Sequence, residues 1–184
     1  MSLEQGTSQG RRMDRIISDV YEPNGIAIDW INKNIYYTDA QYGAIFMTNK
    51  NGKYRKRILS GLAAPRYLAI DPLQGALFWT DAVDGTVNMA SSNGPTQVHS
   101  NPDLQKPYLV LNDKHRGVWP NQLCLDPHQV TSSGYKGKIY WIDGYKKTIE
   151  TMDYLGRVFS ITRWYRTPSP EEGSFRIEPM CITL

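Results

Sequence analysis

Three short stretches of the chain repeat one pattern: NIYYTD (34–39), ALFWTD (76–81) and KIYWID (138–143). Each ends an aromatic pair with a small or branched residue and then Asp, giving Asp39, Asp81 and Asp143, the first two 42 residues apart. Ten residues before the first two stand Asp29 and Asp71, and seventeen before the third stands Asp126. A proline precedes each of these by six residues (Pro23, Pro65, Pro120), and a glycine follows each later Asp by thirteen (Gly52, Gly94, Gly156). A fixed period of this length is the mark of a repeat architecture, so the chain must build one supersecondary unit three times.

Within a unit the apolar period is two, which predicts strands. Ile26 and Ile28 alternate with Ala27 and Asp29, and Ile35 and Tyr37 with Tyr36 and Thr38. A third strand follows (AIFMTN, TVNMAS, TIETMD), then a turn carrying Asn51-Gly52, Asn93-Gly94 or Leu155-Gly156. Asn-Gly favours hairpins because both residues tolerate positive φ. KRILS supplies a fourth strand in the first copy. Four antiparallel strands per unit describe a propeller blade, and no segment has helical periodicity. The aromatic pairs Tyr36-Tyr37, Phe78-Trp79 and Tyr140-Trp141 are then packing between blades, with Thr38 and Thr80 small enough to avoid crowding. Each terminal Asp is an acceptor-only carboxylate at a strand end, suited to the open N–H groups of a turn.

The expected division is the end of a preceding blade at 1–22, blades at 23–64, 65–119 and 120–178, and the first strand of a following blade at 179–184. RIISDVYEP (15–23) aligns with RILSGLAAP (57–65), which is why the chain reads as starting inside one blade and stopping inside another. The expectation is three complete four-stranded blades with partial blades at both ends: a fragment whose end flanks face water. The second and third units carry insertions, one between Gly94 and Pro120, one as a longer hairpin near Ser132. A further long connection runs from 162 to 179. These are either binding loops or tolerated surface excursions.

Tyr-Trp-Thr-Asp repeats at these spacings resemble the class B repeats of the low-density lipoprotein receptor family. The succession PNGIAIDW, PRYLAIDP, WPNQLCLDP, PMCITL resembles successive blades of such a propeller. Gln122 stands where the family has Gly, and Tyr37 where it has Trp. The resemblance implies an all-β, six-bladed YWTD-type propeller in an extracellular, non-catalytic receptor module. Its partners would be protein ligands or neighbouring modules, its parent membrane-anchored. It also implies that Asn24 and Asn121, at the Pro-Asn corners, face the mouth of the central channel. There an amide meets another amide well, although both are equally ordinary turn residues. A nidogen-like matrix protein is the alternative within the class. A calcium-dependent, lactonase-like propeller hydrolase is the alternative outside it.

The 184 residues carry a net charge of +3, with 40% apolar and 21% charged residues, as suits one globular core. Basic residues cluster only in short runs such as KYRKR (53–57), read as solvated strand ends, so no nucleic-acid partner is expected. Two cysteines are too few for a disulfide scaffold, and no apolar run is long enough to cross a bilayer. No nucleophile–base set, metal-ligand spacing or phosphate loop is written, so no catalysis, metal or cofactor is expected. His99, His115 and His128 read as surface imidazoles. The alternative for His99 and His115, which share one insertion, is an acid-release switch of the kind the resemblance implies.

Overall fold

The computed structural model describes residues 15–94, 108–112, 119–130, 136–154 and 158–163. Among them all regular structure is β. The first sheet holds β1 (Pro23–Asp29), β2 (Asn34–Asp39), β3 (Ala44–Asn49) and β4 (Arg55–Ser60). The second holds β5 (Pro65–Asp71), β6 (Ala76–Asp81), β7 (Thr86–Ser91) and β8 (Tyr108–Asn112). The third holds β9 (Pro120–Val130), β10 (Lys136–Asp143), β11 (Thr148–Asp153) and β12 (Val158–Arg163). Each is a four-stranded antiparallel meander in chain order. β1 packs beside β5 and β5 beside β9, so the first strands line one side of the stack and β4, β8 and β12 are the outer edges.

Register sorts the aromatic pairs. Tyr36 lies opposite Ala27 and Met47, and Phe78 opposite Ala69 and Met89, on the face toward the following sheet. Trp79 lies opposite Leu68 and Asn88, and Trp141 opposite Leu123 and Glu150, on the face toward the preceding one. The first interface is therefore built of Tyr36, Ile45 and Leu59 against Leu68, Leu77 and Trp79. The second sets Phe78 and Met89 against Leu123, Ile139, Trp141 and Tyr154. Each fully buried side chain of this size is worth about 1.5–3 kcal/mol, so these two seams hold the sheets together.

The outward face of the first sheet is treated differently. Residues 15–22 cross it as Ile17 and Val20 pack on Tyr37, Ala44 and Phe46. Leu59 and Leu62, at the aligned positions, join the core of the next interface. Beyond that cover Ile26 and Ile28 are 68% and 62% exposed, whereas Leu68 and Leu123, aligned with Ile26, are 6% and 4% exposed.

The second blade completes four strands, as expected: β8 lies between Gly94 and Pro120 and pairs with β7 from Thr86–Asn112 to Met89–Tyr108. One expected boundary is corrected. The long connection begins after Arg163, because Thr162 and Arg163 continue the ladder opposite Ile149 and Thr148. The hairpin tip at 131–135, Gly156 and the segments 1–14 and 164–184 lie outside the described residues.

Candidate functional site

Each inner strand starts at a proline, which has no N–H to give and holds the preceding residue extended. The amide before that proline needs an acceptor, and the motif Asp supplies it. Asp39 accepts from the N–H of Tyr21 at 2.9 Å and of Glu22 at 3.2 Å. Asp81 accepts from Ala64 at 2.9 Å and Asp143 from Trp119 at 3.5 Å. The same carboxylates close their own turns, Asp39 on Tyr42, Asp81 on Val83 and Asp84, and Asp143 on Tyr145 and Lys146. One buried carboxylate thus ties a blade's turn to the linker arriving before that blade.

Thr38 adds a tie across the first interface. Its Oγ1 accepts from Gly25 N–H at 2.7 Å and donates to the Arg66 carbonyl at 2.6 Å. Thr80 accepts from Tyr67 N–H at 3.2 Å, and Ile142 has no hydroxyl for the equivalent bond. Gly25 is needed for this approach, since a Cβ there would lie 2.2 Å from the Arg66 carbonyl oxygen.

At the opposite end Asp29 caps Ile31 and Asn32, Asp71 caps Leu73 and Gln74, and Asp126 caps His128. Asp71 also accepts from the Tyr154 hydroxyl at 3.2 Å, across the second interface. Burial first, and then the Asp71 charge, pushes the Tyr154 phenol far above its usual range.

The proline end carries two pairs of exposed aromatics, while Trp30, Ile31 and Leu73 are exposed at the opposite end. Tyr21 and Tyr42 meet edge to face at 5.1 Å and are 62% and 51% exposed. Trp119 and Tyr145 meet at 6.3 Å, again tilted, and are 64% and 63% exposed. Gly144 N–H donates to the Trp119 carbonyl at 2.9 Å, which brings Tyr145 beside the indole. Asn24 and Asn121 are exposed beside these pairs. Asn24 donates to the Glu22 carbonyl, and the Asn121 amide lies against Gly144. Arg66 and the exposed Val83 hold the corresponding places in the second sheet. Beneath Tyr145, Lys146 bridges Asp143 at 3.8 Å and the buried Glu150 at 3.3 Å.

Flat aromatic faces next to exposed amides suit an extended peptide, whose side chains need apolar cover and whose backbone needs donors and acceptors. The sequence singled out the two Asn residues but not the aromatic pairs. The signal was present, because Trp119 directly precedes Pro120 and Tyr145 follows Asp143 by two. Among the described residues no three of His, Cys, Asp and Glu gather around a point that suits a metal ion. His99 and His115 lie outside the described residues.

No family model matches the chain. Among solved structures it is similar to a nidogen/laminin complex, at 18% identity and TM-score 0.50, over 80% of this chain and 66% of that one. An auxiliary nutrient binding protein from Bacteroides thetaiotaomicron is similar at 16% identity and TM-score 0.58, over 74% of this chain and 35% of that one. A gluconolactonase from Xanthomonas campestris is similar at 13% identity and TM-score 0.53, over 79% of this chain and 48% of that one. The chain spans two thirds or less of each of these structures. Likeness at such identities carries the fold alone, and that fold is the β-propeller, built here from four-stranded antiparallel blades.

Proposed function

We propose that the chain is a non-catalytic protein-interaction module, part of a YWTD propeller in an extracellular, lipoprotein-receptor-related protein, and that it docks protein ligands or neighbouring modules at its proline end. The observation that carries this reading is the pairing of exposed aromatics with exposed amides there: Trp119 and Tyr145 beside Asn121, Tyr21 and Tyr42 beside Asn24. The turns that present them are fastened from below by Asp39 and Asp143, so the surface is preorganised and binding costs little ordering. The likeness to a propeller solved with laminin supports a protein partner, and a nidogen-like matrix protein fits the same surface. The reading needs no metal and no cofactor.

The test is to pan a random-peptide display library on the full chain. Recovered peptides should lose about 2 kcal/mol, roughly thirty-fold in affinity, on Trp119→Ala or Asn121→Ala, while Lys138→Ala leaves them unchanged. Recovered peptides indifferent to both changes would remove the proline end as the docking surface. The gluconolactonase likeness supports a second reading, a calcium-dependent lactone hydrolase. Stoichiometric calcium in the purified protein together with lactone turnover would replace the first reading with this one.

A further inference from the structure

The outer edge of the first sheet carries a charge pattern that neither the fold nor the proline-end surface uses. Between residues 50 and 57 the chain places Lys50, Lys53, Arg55, Lys56 and Arg57 with no acidic residue among them. Arg55 and Arg57 share one face of β4, opposite Thr48 and Phe46, and Lys56 points to the other face. Side chains two apart on a strand are about 6.6 Å apart, so the cations straddle the edge at short intervals. Arg15 joins them, because residues 15–19 lie against the turn at Gly52 and share a shallow depression with Arg55.

Arg55 is partly committed: its guanidinium stacks 4.4 Å from the Phe46 ring centre and donates to the Asp19 carbonyl at 3.0 Å. That anchoring fixes the middle of the row. Lys56 reaches only a carbonyl, that of Asn93 at 3.4 Å. Lys50, Lys53 and Arg57 have no ion pair among the described residues, and the one carboxylate in the depression is Asp19.

Charge on an edge strand ordinarily guards against edge-to-edge pairing. That explanation would apply to all three outer strands alike. β8 reads YLVLN, with no cation, and β12 reads VFSITR, with one, against three in RKRILS. Within the strands the charge is concentrated on β4, so a partner explains it better than edge protection.

We propose that this edge binds a linear sulfated polysaccharide lying along β4. Such a chain carries charge around its circumference and can be contacted from both faces of the strand. An acidic peptide turns half its carboxylates away, and a nucleic-acid binder carries a broader basic field than a chain of net charge +3 and sequence pI near 8.8. The site is separate from the proline end and stands whether or not that surface docks protein.

The experiment measures binding of the full chain to heparin, to chemically desulfated heparin, to single-stranded DNA and to polyglutamate, each across a salt series. Heparin should bind tightest and desulfated heparin not at all. Lys53→Gln/Arg57→Gln should weaken heparin binding about tenfold and lower the slope of log affinity against log salt by about two, as removal of two phosphate contacts does on DNA. Lys138→Gln/Lys147→Gln, with the same change in net charge, should leave both unchanged. Acylation footprinting of the unmodified chain gives a readout independent of the variants: heparin should shield Lys50, Lys53 and Lys56 and spare Lys138 and Lys147. Equal loss in the two double variants, uniform shielding, or binding that survives desulfation overturns the proposal. So does tighter binding to DNA or polyglutamate, in favour of that class.

Discussion

Replacing Asp81 by Asn isolates what the motif carboxylate does. Asp81 is 3% exposed and serves three amides. Its Oδ1 takes Val83 at 3.1 Å and Asp84 at 3.2 Å, and the Ala64 N–H of the linker before the blade is shared between Oδ2 at 2.9 Å and Oδ1 at 3.1 Å. Asn is nearly the same shape but has one carbonyl oxygen and one NH2. Kept toward the turn, the oxygen holds Val83 and Asp84 and the longer arm from Ala64, but the NH2 now stands where Oδ2 took the shorter one, donor facing donor. A hydrogen bond to a charged group is worth about 1.5–3 kcal/mol and a neutral one about 0.5–1.5. The shorter arm to Ala64 becomes a donor–donor contact, at about 2 kcal/mol, and the bonds left on the neutral oxygen are weakened, for about 1 kcal/mol more. The expected destabilisation is therefore about 3 kcal/mol.

Urea unfolding of the full chain should show the midpoint falling by about 1.5 M if the slope is near 2 kcal/mol/M, with the slope itself unchanged. Amide exchange adds position. The Ala64 amide should exchange roughly a hundred-fold faster, while Asp19→Asn, an exposed carboxylate with only Ser18 on it, shifts stability by less than about 0.5 kcal/mol. If Asp81→Asn also falls within that limit, the carboxylate is not a fastening. If Val83 and Asp84 respond while Ala64 does not, it closes its own turn only and the tie to the linker is wrong.

The remaining predictions probe the seams between sheets. Gly25→Ala drives a Cβ to 2.2 Å from the Arg66 carbonyl and 2.9 Å from Leu68 N, both backbone, and should cost about 2–3 kcal/mol by the same urea assay. Tyr154→Phe removes the bond to Asp71 and keeps the ring, for a loss of about 1–2 kcal/mol near neutral pH. Tyr154 also gives a pH dependence with a definite sign. Its folded pKa lies above the unfolded value of 10.0, so above pH 10 the unfolded chain loses the proton and the folded chain keeps it. Stability then falls by about 1.4 kcal/mol per pH unit from this group. The phenylalanine variant should show a shallower alkaline decline, and an identical decline would mean that Tyr154 ionises freely in the folded state.

Much of this fold was legible because it was written three times. One copy of an alternating strand is ambiguous. Three copies with Pro, Asp and Gly in register define strand ends and turns, and the hydrogen bonds of Asp39, Asp81 and Asp143 fall at those marked positions. A fourth strand was expected in the second blade, but its place was not legible, since an extra stretch separates β8 from Gly94 and shifts it out of the register that located β4. Other features escaped for a different reason. Sequence periodicity says which residues share a face, not what stands opposite that face. Ile26 and Leu68 occupy the same place in their strands, yet one is 68% exposed and the other 6%, because among the described residues only Leu68 has a sheet before it. The exposed aromatics pose the same problem in reverse. Trp119 and Tyr145 look like core residues by composition, and only the fold shows that the clamp at Asp143 turns them outward, side by side and 64% and 63% exposed.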